Sequence, residues 1–228
     1  MGFEALPERL AQVRAELARL APQQVTIVAV TKGFGTDAIR AATDAGIGDI
    51  GENRVQEAVQ KQEELGARSQ ELGIRWHLIG HLQRNKARVA RGRFDLVHSL
   101  DSLELARELD RRSTTPQRVL LQVNVAREAQ KSGCALEDAP ALARQIVALG
   151  ALRLEGLMTL APLTDDAEVQ RRTFRGLRVL RDRIKEEEGV WLPTLSMGMS
   201  SDYASAAQEG ATVIRLGTAL FGPREATP

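Results

Sequence analysis

Eight short apolar segments alternate with longer amphipathic segments along this chain of 228 residues. The apolar segments, such as residues 119–123 (VLLQV), are almost continuously hydrophobic, which is typical of parallel strands covered on both faces. Eight strands separated by helices predict a (β/α)₈ barrel of the TIM type, and an open doubly wound sheet is the alternative. The strands are predicted at 25–31, 48–51, 74–80, 95–100, 118–125, 152–159, 194–198 and 212–217.

Amphipathic segments lie between these strands and also before the first of them. The first twenty residues predict a helix that ends at Pro22, with apolar residues at spacings of three and four. Because this helix precedes the first strand, it is an addition to the barrel. Its apolar face consists of Leu6, Leu10, Val13, Leu17 and Leu20. Further helices are predicted at 36–46, 53–66, 83–91, 102–112, 138–150, 165–188 and 202–210.

The composition favours a single globular domain that covers residues 1–228. Chains of this length commonly form one barrel, and no Pro-rich or Ser-rich linker divides the sequence. The hydrophobic fraction is 43% and the net charge is only +1, with both signs interspersed. Because there is no basic stripe and aromatic residues make up only 4%, the sequence argues against nucleic-acid binding. We expect a monomer or a weak homodimer.

The cysteine content and the N-terminus bear on the compartment. Cys134 is the only cysteine, so an intrachain disulfide is excluded and a reducing compartment is suitable. The N-terminus lacks the basic and apolar regions of a signal peptide, and no apolar run is long enough to span a bilayer. We therefore expect a cytoplasmic protein without a membrane partner.

Lys32 is the first charged residue after the apolar strand at 25–31. Active sites of parallel barrels lie at the C-terminal ends of the strands, which is where Lys32 would stand. A lysine amine in such a place can form a Schiff base with an aldehyde, as in the chemistry of pyridoxal 5'-phosphate (PLP). A solvated lysine at a strand end is the alternative.

Two turns near the C-terminus contain the residue types that hold a phosphate group. Residues 196–200 (SMGMS) follow the seventh strand, and Gly217 and Thr218 end the eighth. Glycine lets backbone N–H groups approach a phosphate closely, and Ser200 and Ser201 begin a predicted helix. Strands one and eight are neighbours in a closed barrel, so these turns would converge with Lys32. Ordinary turns with a capping serine are the alternative.

Three histidines lie at the ends of predicted strands. His77 and His81 flank the third strand, and His98 lies at the end of the fourth. No carboxylate or cysteine completes a metal-ligand set beside the first two, so the pattern argues against zinc. A hydrogen-bonded structural role is therefore the better interpretation for each histidine, although His98 could face the site.

Taken together, the motifs resemble those of the pyridoxal phosphate homeostasis protein family, and the matches extend through most of the chain. They occur in one order along the sequence, which makes chance similarity improbable. The matching segments are 28–32 (VAVTK), 51–57 (GENRVQE), 76–83 (WHLIGHLQ), 85–86 (NK), 98–102 (HSLDS), 122–124 (QVN), 131–133 (KSG), 156–159 (GLMT), 196–200 (SMGMS) with Asp202, and 215–222 (RLGTALFG).

The resemblance implies a single barrel similar to the N-terminal domain of alanine racemase. It implies that Lys32 carries PLP as a Schiff base, that Asn53 lies near the cofactor ring and that Arg215 faces the pyridine nitrogen. It further implies that four residues hold the phosphate: Met199 (through its backbone), Ser200, Gly217 and Thr218.

The chain departs from the family pattern at two places. The family commonly has Ser-Lys-Thr at the lysine, whereas this chain has Thr31-Lys32-Gly33-Phe34. The family often has Asn-Tyr in the second motif, whereas Arg54 follows Asn53 here. Because the lysine is retained, cofactor binding is still expected, and the groups at the edge of the ring are expected to differ.

The resemblance implies a carrier that buffers PLP, affects the balance of amino acids and keto acids, and delivers the cofactor to apo-enzymes. A low-activity amino-acid racemase is the alternative. Arg215 would oppose protonation of the ring nitrogen, and racemisation needs a second base besides Lys32. The only tyrosine is Tyr203, beside the predicted phosphate turn, so the sequence disfavours the racemase. A barrel enzyme in which Lys32 acts directly on a carbonyl substrate is a third possibility.

Overall fold

Eight parallel strands close into a barrel in a computed structural model that describes residues 2–111, 115–128 and 130–223. Each strand pairs with the next, and the last pairs with the first through the register Thr26↔Val213 to Ala29↔Leu216. This closure confirms the barrel and excludes the open sheet. The strands are β1 (Thr26–Val30), β2 (Asp49–Glu52), β3 (Arg75–Leu78), β4 (Leu96–Leu100), β5 (Gln117–Gln122), β6 (Leu152–Met158), β7 (Thr194–Ser196) and β8 (Val213–Leu216).

Helices surround the barrel. They are α1 (Leu6–Leu20), α2 (Thr36–Asp44), α3 (Val55–Leu65), α4 (Arg68–Glu71), α5 (Ala87–Ala90), α6 (Leu103–Asp110), α7 (Ala139–Val147), α8 (Ala167–Glu188), α9 (Tyr203–Gln208) and α10 (Thr218–Phe221). Helix α1 precedes β1, α10 follows β8, and the others connect successive strands. Two of the helices, α4 and α10, are single turns that the periodicity did not predict. The helix predicted at 83–91 is a 3₁₀ turn at Arg84–Lys86 followed by α5. Segments this short carry no full apolar stripe, so the periodicity cannot distinguish a 3₁₀ turn from an α-helix.

The N-terminal helix α1 is confirmed as an addition to the barrel. It buries Leu6, Leu10, Val13 and Leu17, and it packs against α9 and α10. The Arg9 guanidinium donates to the backbone oxygen of Leu220 at 3.3 Å. Helix α1 therefore supports the segment that follows β8.

Several polar side chains are buried on the strands of the barrel. His98 on β4 contacts Ser196 on β7, and strands so far apart around the barrel can meet only across its interior. Buried polar groups need hydrogen-bond partners, and most of these have them. The buried polar strand residues include Asp49, Glu52, His77, His98, Gln122, Ser196 and Arg215.

None of the described helices is both long and apolar enough to cross a membrane.

Candidate functional site

A cavity of about 590 Å³ opens at the C-terminal ends of the strands. It lies where parallel barrels place their active sites. The structure brings together all seven residues that the sequence singled out, although they are far apart along the chain. Those that line the cavity are Lys32, Asn53, Met199, Ser200, Arg215, Gly217 and Thr218.

Lys32 occupies the second position of a four-residue turn that follows β1. The turn is closed by a hydrogen bond from the backbone N–H of Phe34 to the oxygen of Thr31 at 3.0 Å. Gly33, in the third position, has φ +74°, a conformation that favours glycine in such turns. Gly33, which departs from the family pattern, therefore suits the local backbone. Lys32 itself is half-buried and lines the cavity.

A buried ionic group holds the backbone on both sides of Lys32. We call it the Lys61 cluster: Thr31, Glu52, Glu57 and Lys61. The Lys61 Nζ donates to Glu52 Oε1 at 2.7 Å, to Glu57 Oε1 at 2.8 Å and to the backbone oxygen of Thr31 at 2.8 Å. The Thr31 hydroxyl donates to Glu52 Oε1 at 2.5 Å, and the Gly33 N–H donates to Glu57 Oε1 at 2.6 Å.

The pKa values of the two carboxyl groups in the Lys61 cluster are shifted in opposite directions. Burial raises the pKa of Glu52 and outweighs the hydrogen bonds from Lys61 and Thr31. Burial also acts to raise the pKa of Glu57, but hydrogen bonds from Lys61 and Gly33 outweigh it, so that pKa is lowered. The cluster was not predicted from the sequence, where the only signal was the four-residue spacing of Glu57 and Lys61.

Asn53 follows β2 and lines the cavity with its backbone fixed by a neighbouring loop. A side chain at Gly80 would bring its Cβ to 2.2 Å from the Asn53 oxygen, which only glycine avoids. Asn53 is therefore held by close contact with the segment after β3. Arg54, the second departure from the family pattern, is exposed and lies in an adjoining groove with Lys86.

The two predicted phosphate turns contact each other. The Ser200 hydroxyl oxygen accepts hydrogen bonds from the backbone N–H groups of Gly217 at 3.2 Å and Ala219 at 3.1 Å. Gly198 has φ +97°, and a Cβ there would lie 2.7 Å from Ala206, so the turn requires glycine. The turns after β7 and β8 therefore form one polar wall of the cavity, with Thr218 at its edge.

The structure of this wall differs from the prediction in two details, and both involve Asp202. Its carboxylate Oδ1 accepts a hydrogen bond from the Met199 N–H at 2.5 Å, so that donor is already engaged. Ser200 and Ser201, which were expected to begin the helix, lie in the turn before it: Asp202 is at the N-cap position of α9, and the helix begins at Tyr203. Burial raises the pKa of Asp202, against the effects of the Met199 N–H and Arg215.

Arg215 is buried beneath the cavity at the end of β8. Its Nη1 donates to the Ser196 hydroxyl oxygen at 2.6 Å, and its Nη2 donates to the Thr159 backbone oxygen at 3.0 Å. Burial lowers the pKa of Arg215 to about 10, although the negative charge of Asp202 opposes this. At neutral pH the guanidinium stays charged and can act only as a donor.

The histidines divide into a buried pair and one residue at the rim. His77 and His98 are hydrogen-bonded to each other at 2.9 Å and are buried, so both are hydrogen-bonded as expected. His81 is exposed at the mouth of the cavity, with Nδ1 3.4 Å from Asp101 Oδ2. His77 and His81 thus have separate partners, and no group of metal-ligating side chains occurs among the described residues.

The chemistry of this donor set fits PLP. Lys32 supplies an amine for an aldehyde, and the hydroxyl groups of Ser200 and Thr218 supply donors for a phosphate. Arg215 supplies a donor, not a carboxylate, at the floor of the cavity. Residue types that would match an aldehyde, a phosphate and a ring nitrogen therefore border the same space.

Comparisons with known proteins agree with this site. Residues 5–225 match the family described as alanine racemase, N-terminal domain. The pyridoxal phosphate homeostasis protein of Pseudomonas aeruginosa is 43% identical over 98% of this chain and 97% of its own length. That of Escherichia coli K12 is 38% identical over 96% of this chain and 97% of its own.

Solved structures give the same result. PipY of Synechococcus elongatus with PLP bound has a TM-score of 0.84 and 40% identity, covering 95% of this chain and all of the other. Alanine racemase from Corynebacterium glutamicum has a TM-score of 0.75 at 15% identity over 96% of this chain and 62% of its own, which shows a shared fold alone. The chain therefore belongs to the pyridoxal phosphate homeostasis proteins, within the family of alanine racemase N-terminal domains.

Proposed function

We propose that this protein binds PLP reversibly at Lys32 and takes part in intracellular PLP homeostasis as a carrier or buffer of the cofactor. The observation that carries the proposal is the convergence of Lys32, Arg215 and the two polar turns on one cavity. Two facts about its relatives support it: PipY has been solved with PLP bound, and the similar proteins of P. aeruginosa and E. coli are named for PLP homeostasis.

Each part of the cavity has a proposed role. When bound, PLP supplies an aldehyde that can be stored and, with a protonated ring, an electron sink. Lys32 would hold that aldehyde through its amine, as a Schiff base. Ser200 and Thr218 would hold the phosphate through their hydroxyl groups, and the N–H groups of Gly217 and Met199 would join them once released from Ser200 and Asp202. Asn53 lies beside the ring.

Arg215 makes the site better suited to holding the cofactor than to using it. A charged guanidinium at the ring nitrogen disfavours protonation of that nitrogen by like-charge repulsion, which weakens the electron sink. The Arg215 side chain is anchored at two points, so it keeps this orientation. We therefore infer a carrier in preference to a racemase.

A low-activity racemase is the second candidate, and His81 is the observation in its favour. Its imidazole lies at the mouth of the cavity that Lys32 lines, next to Asp101. Tyr203 is not available as a second base because its hydroxyl is bonded to Glu16, and burial raises its pKa to about 12.

The remaining proposals concern the setting of the protein. We propose a single PLP-binding domain over residues 1–228 that works in the cytoplasm as a monomer or weak homodimer. PLP-dependent apo-enzymes are the proposed recipients of the cofactor. The lone cysteine supports a reducing compartment. The position of Lys32 at an open cavity supports a carrier that exchanges its cofactor.

A PLP titration of the apo-protein tests the proposal. Wild type and Lys86→Ala are expected to develop the visible absorption of a Schiff base, and Lys32→Ala is expected to lose it. Lys86 is the matched control because it lines the adjoining groove. A visible band of normal intensity in Lys32→Ala, or none in wild type, would contradict the proposed site.

A second assay separates the carrier from the racemase. The PLP-loaded protein is incubated with L-alanine or L-serine in deuterated water. We expect no cofactor-dependent α-deuteration at enzymatic rates. Deuteration with racemisation that His81→Ala abolishes would instead establish the enzyme and identify its second base.

A further inference from the structure

A continuous series of side chains crosses the barrel interior from its N-terminal end to Arg215. We call it the His77–His98 chain: Asp49, His77, His98, Ser196 and Arg215. Asp49 Oδ1 lies 3.0 Å from His77 Nε2, and His77 Nδ1 lies 2.9 Å from His98 Nε2. His98 Nδ1 lies 2.8 Å from the Ser196 hydroxyl oxygen, which is 2.6 Å from Arg215 Nη1.

The two ends of this chain determine where the hydrogens lie. Arg215 can only donate, whereas an ionised Asp49 can only accept. Burial acts to raise the pKa of Asp49, but hydrogen bonds from His77 and Arg75 outweigh it and lower that pKa to about 2. Asp49 is therefore a carboxylate at neutral pH, and the chain has a donor at one end and an acceptor at the other.

The hydrogens between the ends then follow one step at a time. Because Asp49 accepts, His77 donates from Nε2, and a neutral His77 then accepts at Nδ1. His98 therefore donates from Nε2 and accepts at Nδ1. The Ser196 hydroxyl donates to that nitrogen and accepts from Arg215. Every group is satisfied with both imidazoles neutral, and each donor points the same way along the chain.

A charged imidazole in the middle would break this pattern. If His98 Nδ1 carried a proton, the Ser196 oxygen would face two donors, His98 and Arg215. The hydroxyl hydrogen of Ser196 would then lose the nitrogen that accepts it. Burial lowers the pKa of His98 well below 6.5, and the positive charge of Arg215 acts in the same direction. The neutral form is the one that the surroundings stabilise.

We propose that Asp49, His77, His98 and Ser196 are positioning residues that orient Arg215 toward the ring nitrogen of bound PLP through a one-way chain of neutral, Nε2-protonated imidazoles. The inference rests on the proposed function for the identity of the ligand. It adds that retention of the cofactor depends on residues that do not touch it.

The far end of the chain reaches the opposite face of the barrel. Arg75 binds both oxygens of Asp49, at 2.7 and 2.5 Å, and its side chain is 54% exposed. It borders a separate polar cavity of about 410 Å³ at the N-terminal ends of the strands. The chain therefore links the cofactor cavity to a surface on the other side of the molecule.

Nitrogen-15 NMR of the imidazole rings in the PLP-free protein tests the hydrogen-bond chain by itself. We expect both His77 and His98 to be neutral and protonated on Nε2 at neutral pH. An imidazolium, or an Nδ1-protonated ring at either position, would overturn the proposed chain. This readout does not depend on whether PLP binds, so it stands even where the proposed function fails.

PLP titration of Ser196→Ala tests the positioning role. Ser99→Ala is the matched control, since Ser99 is also fully buried but its hydroxyl has no hydrogen-bond partner among the described residues. Ser196→Ala is expected to bind PLP about tenfold more weakly, the size of a lost hydrogen bond to a charged group. The Nδ1 resonance of His98 should also shift in this variant and stay in place in Ser99→Ala.

The outcomes separate the two proposals. Wild-type PLP affinity in Ser196→Ala would overturn the positioning role, even where the NMR spectra show the expected protonation. Absence of PLP binding in wild type would overturn the proposed function and leave the hydrogen-bond chain intact. Circular dichroism establishes whether Ser196→Ala is folded, and the wild-type NMR measurement decides the chain if it is not.

Discussion

Two buried polar networks reach the same cavity, and they differ in where their charged groups lie. The Lys61 cluster lies under Lys32 and contains a buried ammonium between two carboxyl groups. The His77–His98 chain lies under Arg215 and has charges only at its ends, with two imidazoles and a hydroxyl between them. The first holds backbone and the second orients a side chain.

The difference shows how each network tolerates the loss of a member. A buried charge depends on its partner, because an uncompensated charge in a low-dielectric interior is costly. A neutral hydrogen-bonded chain loses less when a link is removed, but its direction is determined by both ends. We therefore expect the Lys61 cluster to dominate stability and the His77–His98 chain to govern the properties of the cofactor site.

The largest effect is expected from Lys61→Met, which leaves Glu52 buried without its cation. Unfolding in urea should show a loss of about 3–5 kcal/mol in the free energy of unfolding. Lys86→Met, at a half-buried surface site, should change it by less than about 0.5 kcal/mol.

The double variant Lys61→Met, Glu52→Gln sharpens this test. Removing the second charge should recover part of the lost stability, because the isolated carboxylate causes most of the cost. A loss below about 1 kcal/mol in Lys61→Met would be within the range of an exposed ion pair and would contradict the importance of the cluster.

Thr31→Val is expected to have the next largest effect. It removes the hydroxyl that donates to Glu52 Oε1, and a hydrogen bond to a charged group is worth about 1.5–3 kcal/mol. Thermal or urea unfolding measures the loss, and Thr31→Ser, which keeps the hydroxyl, should retain most of the stability. Equal losses in the two variants would assign the effect to packing.

The His77–His98 chain is expected to make stability dependent on pH. The folded-state pKa of His98 lies below its ordinary value of 6.5, so the unfolded chain takes up the proton first as the pH falls. The contribution of His98 to the free energy of unfolding is fully present above about pH 6.5. It is lost as the pH falls below that value, at up to about 1.4 kcal/mol per pH unit.

Unfolding of His98→Gln across the same pH range isolates this contribution. The variant lacks the titrating ring, so its stability should fall less steeply than that of wild type between about pH 6.5 and 5. Parallel profiles for the two proteins would show that His98 takes up its proton as readily in the folded protein as in the unfolded chain, which would contradict the lowered pKa.

Glu57→Gln is expected to have the smallest effect of the series. Its side chain is 26% exposed, and the amide oxygen can still accept the Gly33 N–H. The expected loss is about 0.5–1 kcal/mol, as for a partly solvated ion pair, and Glu63→Gln on the exposed side of α3 is the control. A loss as large as that of Lys61→Met would mean that Glu57, not Glu52, is the main partner of Lys61.

The barrel and the cavity residues could be predicted because they depend on short-range patterns. Alternating strands and helices imply closure, and closure brings Lys32, Ser200 and Gly217 together at the strand ends. Each residue could therefore be placed from its own strand. The family resemblance added the roles of Asn53 and Arg215.

The two networks could not be predicted, because they depend on contacts between distant segments. Lys61 lies on α3, which packs beside β2, and its side chain reaches the backbone of Thr31, 30 positions away along the chain. His98 meets Ser196 across the barrel, 98 positions away along the chain. No periodicity or local motif encodes which polar side chains face each other inside a barrel.

The most direct test of Lys32 as the holder of PLP is to find the residue that carries the cofactor. Wild-type protein loaded with PLP is reduced with borohydride, digested, and the pyridoxyl group is located by peptide mass. We expect the label on Lys32, and none at any position in Lys32→Ala. A label on Lys86 or Lys131 of the wild-type protein would contradict the central claim.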